Sequence, residues 1–265
     1  MRLNRLAAEP PFRLFVKFLI SRFVRDVHRR AKWDAASRPH YLVGLLAAAE
    51  QAQQEGRTHM AALEFGVASG EGLLVMARLA KEITAATGVQ ISVYGFDTGA
   101  GLPDLRGGYR DFPDHWQAGD YPMDAAALRA RLPSHASLIL GDVAETVPDF
   151  AEQGHPPLGF AAIDVDLYSS TMDALKLLSL SQDNMLTHMP MYFDDIEYFF
   201  MHRFGGELAA IADFNAQHAN VKIDAWRGLP KKRPFPDAFW LQKMFIAHNL
   251  KAVDEQAPNR APFVL

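Results

Sequence analysis

The chain has 265 residues, 49% of them hydrophobic, with a formal net charge of -4 and no cysteine. That length fits one large or two small domains with a substantial core, and the charge gives no reason to expect nucleic acid as a partner. Without cysteine there are no disulfides, thiolate zinc sites or cysteine nucleophiles, so any metal must be held by oxygen or imidazole.

Residues 1 to 33 place Phe12, Phe15, Val16, Leu19, Phe23 and Val27 at helical spacing among Arg13, Lys17, Arg22, Arg25, Arg29 and Arg30. A basic amphipathic helix of this kind can cover its own domain, pack against another subunit or lie on an anionic membrane; the first two are preferred, and a homo-oligomer is expected. No apolar run approaches the roughly 18 residues of a membrane span, and Arg13 and Lys17 interrupt any signal-peptide core, so a cytoplasmic protein is expected. A second helix runs from about His40 to Gln54, with Pro39 at its start and Gly56 closing it.

The stretch from Ala61 to Ala80 organises the chain. An apolar run of strand length ends at Phe65, Gly66, Gly70 and Gly72 break it, and Leu73 to Ala80 resume as helix formers: strand, tight turn, helix. Such a turn exposes the first amides of the helix at the carboxyl end of a strand, where an α/β sheet places its ligand. The spacing departs from G-x-G-x-x-G, and Glu64, two places before Gly66, would repel phosphate. It suits a ligand with an ammonium group and no phosphates, such as S-adenosylmethionine (SAM); a purely structural turn is the alternative.

A helix to about Thr87 and a strand over Val89 to Phe96 follow, closed by Asp97, the position that hydrogen-bonds a ribose hydroxyl in nucleotide-binding sheets or else caps the turn. Thr98 to Met123 is rich in Gly, Pro and aromatics, and is read as a lid with Trp116 and His115 facing substrate or as an aromatic patch packed on the domain. Asp124 starts a helix to about Leu132. The strand Ala136 to Leu140 ends at Asp142 and Val143, where Asp142 either accepts from an adenine amino group or caps the next helix.

The strand Gly159 to Ile163 ends at Asp164 and Asp166, a helix runs from about Thr171 to Leu180, and the strand Met189 to Phe193 ends at Asp194 and Asp195. Adjacent parallel strands bring such tips within roughly 5 Å. Clustered carboxylates repel unless something positive joins them, and Asp164, Asp194 and Asp195 offer hard oxygen ligands for Mg2+, Mn2+ or Ca2+. A helix from about Gly206 to His218 precedes two strands, Val221 to Trp226 and Ala238 to Ala247, joined by the basic turn Pro230 to Pro234 and expected to add an antiparallel hairpin to a parallel sheet.

The pieces Glu64 to Gly70, Phe96 to Pro103, Asp142 to Pro148, Ile163 to Thr171 (Ile-Asp-Val-Asp-Leu-Tyr-Ser-Ser-Thr) and Phe193 to Asp195 resemble the class I SAM-dependent methyltransferases, and within them the macrocin O-methyltransferase (TylF/MycF-like) family of metal-dependent sugar O-methyltransferases. The resemblance implies an α/β fold: a Rossmann-like seven-stranded, mostly parallel sheet with a C-terminal antiparallel hairpin, plus N-terminal helices. Residues 1–56 would form the helical segment and residues 57–265 the methyltransferase domain, with its lid over about 98–123. It further implies SAM contacts from Glu64, Gly66, Gly70, Asp97, Asp142 and Val143, and a divalent metal, Mg2+ first, on Asp164, Asp194 and Asp195. Two departures stand out: Gly72 replaces a small polar residue, and Leu186 to Pro190 replaces a Pro-Gly-Gly turn.

The implied reaction is methyl transfer to a hydroxyl of a sugar or glycosylated small molecule. Catechol-type relatives place a lysine three residues after the first metal aspartate, where this chain has Leu167. Asp166 is therefore the preferred general base, with Asp164 as a shared ligand and base the alternative, His115 or His202 behind them, and a merely orienting Asp166 also open. A phenolic or other natural-product hydroxyl is the next reading, followed by a nicotinamide-dependent oxidoreductase and a non-catalytic scaffold.

Overall fold

The computed structural model describes residues 12–256; the opening of the basic N-terminal segment (1–11) and the last residues of the expected catalytic domain (257–265) lie outside the described residues. Three helices come first, α1 (Phe12–Phe23), α2 (Val27–Lys32) and α3 (Pro39–Gln54). The strands are β1 (His59–Phe65), β2 (Gln90–Asp97), β3 (Ala136–Leu140), β4 (Leu158–Ile163), β5 (His188–Phe193), β6 (Val221–Ala225) and β7 (Met244–Asn249). Between and after them run α4 (Glu71–Thr87), α5 (Ala125–Arg129), α6 (Val143–Gln153), α7 (Tyr168–Leu180), α8 (Gly206–Gln217) and α9 (Leu250–Gln256).

The seven strands form one sheet in the order β3-β2-β1-β4-β5-β7-β6. β1 to β5 are parallel, and β7 runs antiparallel to both β5 and β6, so the expected Rossmann-like α/β architecture with an antiparallel end is the fold observed. The strand order reverses between β1 and β4, and the crevice outside the carboxyl ends of such strands is where doubly wound sheets bind ligands.

Both faces of the sheet are covered, which is why β1 and β4 read as continuous apolar runs. Met60, Ala62, Phe160, Ala162 and Tyr192 pack with α3 and α4, whereas Ala61, Leu63, Phe65, Ala161, Ile163 and Phe193 pack with α6, α7 and α8. The alternation is the period-two geometry of a strand.

Three expectations needed correction. α7 begins at Tyr168, a turn's length earlier than Thr171. Residues 239–243 form a 3-10 turn rather than a strand, because Leu241 donates to the Ala238 carbonyl (3.0 Å) and the turn drives Trp240 and Leu241 into the core shared with α3. The apolar stripe of α1 does not cover its own domain: Phe12, Phe15, Phe18 and Phe23 are exposed, and the helix is held by Arg13, which bonds Asp237 (3.3 Å) and lies with Lys17 over the Phe235 ring. In the basic turn, Arg233 pairs with the buried Asp34. No described helix is long and apolar enough to cross a membrane.

The turn after β1 depends on Gly66. Its φ is +84°, and a Cβ there would lie 1.7 Å from the Asp164 carbonyl oxygen, so the tips of β1 and β4 approach as closely as bare backbone permits. Gly66→Ala is expected to destabilise the protein by more than about 2 kcal/mol, the left-handed penalty plus the displaced strand tip; an unchanged denaturant midpoint would show that the two tips can separate freely.

Candidate active site

A cavity of about 300 Å³ opens at the carboxyl ends of the parallel strands. Gly66, Val67, Ala68, Ser69 and Gly72 of the β1–α4 turn line it, together with Glu64, Asp97, Asp142, Val143, Asp164, Asp166, Asp194 and Asp195. Of the residues singled out in the sequence as cofactor or metal contacts, Gly70 does not line the wall: it is the left-handed N-cap of α4, packed against Leu128.

At one end the carboxylate of Asp97 stitches the turn together. Its Oδ2 accepts from the amides of Val67 and Ala68, both at 2.9 Å, and its Oδ1 from Gly99 at 2.7 Å. Glu64 is buried beside it and accepts from the Tyr41 hydroxyl at 2.5 Å, while its Oε2 has no partner among the described residues. Burial lifts the Glu64 carboxyl to about 7 against the opposing pull of Tyr41 and Arg38. Gly72 has no side chain because that space belongs to Glu64, whose Oε1 would lie 1.9 Å from a Cβ. Asp142 caps α6 by accepting from Ala144 (2.9 Å) and also faces the cavity, so its capping and lining roles coexist.

At the other end, the parallel pairing of Ile163 with Phe193 sets the acidic tips of β4 and β5 side by side. One carboxylate oxygen from each of Asp164, Asp194 and Asp195 falls within 4.8 Å of the others. Burial, then mutual repulsion, raises Asp164 and Asp195 well above the usual carboxylate range. Asp194 is pushed up by burial but pulled further down by the Tyr192 hydroxyl (2.5 Å) and the Lys243 ammonium (3.1 Å), so it stays ionised. Asp195 leaves Oδ2 buried and unpartnered among the described residues, and its amide donates to the fully buried Glu207 (3.0 Å). An all-oxygen donor set with an orphaned buried oxygen and excess negative charge fits a hard divalent cation.

Asp166 sits on a strained backbone. Its φ is +58°, and Leu167 donates to the Val165 carbonyl at 2.5 Å, closing a tight three-residue turn of the kind found at functional sites. Burial, with the Asp164 charge second, raises its carboxyl to about 7, and it lies within hydrogen-bonding reach of Asp195.

The loop 98–123 lines part of the cavity and is pinned to α7 and α8. Asp111, fully buried, accepts from the Gly107 amide (2.5 Å) and from the amide and hydroxyl of Ser169 (2.8 and 2.9 Å), and Arg106 and Arg110 reach Asp173 (2.9 Å) and Asp213 (2.7 Å). Trp116 lines the cavity with its Nε1 buried and unpartnered among the described residues, as do Tyr121 and Tyr198. His115 does not face it but stacks on Phe200 at 3.5 Å, and His202 packs on Phe112.

Sequence reasoning missed Arg38, Tyr41, Lys243 and Glu207. They reach the site from α3, its cap, the turn before β7 and α8. A single polar or charged residue there carries no spacing signal.

No protein-family model matches the chain, and no curated protein matches it either. Among solved structures, the O-methyltransferase NovP aligns with 77% of this chain and 91% of its own at 17% identity, with a TM-score of 0.51. The calicheamicin methyltransferase CalS11 aligns with 84% of this chain and 91% of its own (20% identity, TM-score 0.49), and the O-methyltransferase TomG from Streptomyces achromogenes, solved with SAM, with 89% and 96% (11% identity, TM-score 0.46). The likeness to NovP is one of fold.

The raised carboxyls have a consequence for stability. Between their ordinary values (3.8 for Asp166, 4.5 for Glu64) and about 7, these groups hold protons in the folded chain that the unfolded chain has lost, so stability falls as pH rises through that window. Metal-free protein in chelator is expected to be less stable to denaturant at pH 8 than at pH 5 by at least about 1.4 kcal/mol, one pKa unit's worth. Glu64→Gln should flatten that slope. A metal-free protein more stable at pH 8 would contradict the assignment.

Proposed function

We propose that the protein is a metal-dependent O-methyltransferase that moves the methyl group of SAM to a hydroxyl of a sugar or glycosylated small molecule, with Mg2+ the preferred ion. The observation that carries this reading is one cavity holding both a glycine turn guarded by Glu64 and, beyond it, three carboxylates within 4.8 Å. The O-methyltransferase name of NovP, which shares the fold, agrees with it. A nicotinamide dinucleotide fits worse, since its pyrophosphate would meet a described wall of carboxylates in which Arg38 is the one cation. The macrocin-type family is the finer placement we favour.

In this reading Glu64, Gly66 and the Val67–Ser69 turn take the amino-acid end of SAM, Asp97 the ribose, and Asp142 and Val143 the adenine. Asp164, Asp194 and Asp195 would hold the divalent ion. SAM supplies an electrophilic methyl on a sulfonium, and the ion supplies positive charge that makes a weakly acidic hydroxyl easier to ionise. The chain's own residues do the rest. Asp166 accepts the hydroxyl proton while the oxygen–carbon bond forms and the carbon–sulfur bond breaks, and a carboxyl near 7 is matched to that task. Asp164 is the alternative base. Trp116 and the latched loop exclude water and align the acceptor. The rings of Trp116, Tyr121 and Tyr198 on the cavity wall suit stacking on a sugar face or a phenol, so a phenolic or other natural-product hydroxyl is the second reading.

Calorimetric titration with SAM, using NAD as control and each with and without Mg2+, tests the proposal: micromolar SAM binding with no NAD binding is expected, and NAD binding or no SAM binding would overturn it. Asp194→Ala should leave SAM binding mostly intact and abolish metal-stimulated turnover, whereas Asp97→Ala should weaken SAM binding. Asp166→Asn should lower kcat by roughly 10²- to 10⁴-fold at unchanged SAM affinity; an unaltered kcat would reduce Asp166 to an orienting residue.

A further inference from the structure

We infer that Arg38 is the group that binds the carboxylate of the cofactor's amino-acid tail, so that the tail is held as a zwitterion between Arg38 and Glu64. The inference rests on the SAM reading above and adds to it a residue from outside the sheet. Arg38 immediately precedes Pro39 at the start of α3, and α3 packs on the sheet through the same core as β1 and β4.

Charge supplies the first argument. Among the described residues that line the cavity, Arg38 is the single cation in a wall of acids. A sulfonium and an ammonium are welcome in such a cavity, but a carboxylate is repelled everywhere except beside Arg38.

Geometry supplies the second. The guanidinium stacks 5.1 Å from the Tyr41 ring centroid and donates to the Tyr41 hydroxyl only at 3.4 Å, while that hydroxyl donates to Glu64 at 2.5 Å. Arg38 and Glu64 are thus neighbours joined through one tyrosine, and Glu64 Oε2 is buried without a partner among the described residues. Lying over the ring holds the guanidinium beside Glu64 and leaves most of its donors available for a two-pronged bond to a carboxylate. A methionine tail carries its ammonium and carboxylate on one carbon, which matches an acid and a guanidinium side by side.

The test compares two probes that differ only in the carboxylate, S-adenosylhomocysteine and S-adenosyl-3-thiopropylamine, titrated in Mg2+ buffer into the wild type, Arg38→Met and Arg38→Lys. The wild type is expected to bind S-adenosylhomocysteine about 10- to 100-fold tighter than the amine, the range of a charge-assisted hydrogen bond. Arg38→Met should lose that preference by weakening S-adenosylhomocysteine while binding the amine as well as or better than the wild type, and retained amine binding certifies that the variant is folded. Arg38→Lys should fall between. If Arg38→Met weakens both probes equally, or if the wild type does not distinguish them, Arg38 serves instead to neutralise Asp164 and Asp194, and the inference fails while the methyltransferase reading stands. If the wild type binds neither probe, both fail together.

Discussion

Three carboxylates held within 4.8 Å of one another at the tips of two buried strands are the constraint to which the rest of the site answers. Left to themselves they would take up protons or push the tips apart. The chain limits the repulsion by surrounding it with donors. Lys243 and the Tyr192 hydroxyl keep Asp194 ionised, whereas Asp166 beside Asp195 adds to the repulsion. What remains uncompensated, including Asp195 Oδ2 with no partner among the described residues and the raised Asp164, is the negative charge a cation would take up.

A second consequence concerns the glycine turn. Asp97 spends three hydrogen bonds on the backbone of Val67, Ala68 and Gly99, so the loop after β1 that lines the cavity is braced before any ligand arrives. The acid at the tip of β2 therefore shapes the loop after β1 as well as facing the cavity, and loop order that is already present need not be gained on binding.

The sheet and the acidic strand tips were legible in the sequence because they are local: an apolar run, a glycine break and an aspartate at the end follow from strand geometry alone. The position of Asp97 was legible for the same reason, although its grip on the Val67 and Ala68 amides was not. Arg38, Tyr41 and Lys243 were opaque, since their roles exist only once α3 and the turn before β7 are folded against β1 and β5. The 3-10 turn at Phe239–Lys243 was misread because Ala238 to Leu241 is as apolar as a strand, and only packing against α3 decides between the two periods. His115 and Trp116 are adjacent, and composition could not say which one turns inward; Phe200, 85 residues beyond His115, takes the histidine ring.

The start of α7 joins these themes. No side chain of its own caps that helix, and the amide of Ser169 is met instead by Asp111 of the loop 98–123. The cap arrives from a segment almost 60 residues away, which is why the helix begins earlier than its local sequence suggests. Opening the loop therefore strips α7 of its cap, at about 1 kcal/mol, and obliges a buried carboxylate to take on water. The same first turn follows directly on Asp166. Any displacement of residues 98–123 away from α7 would thus also loosen the helix end that follows Asp166.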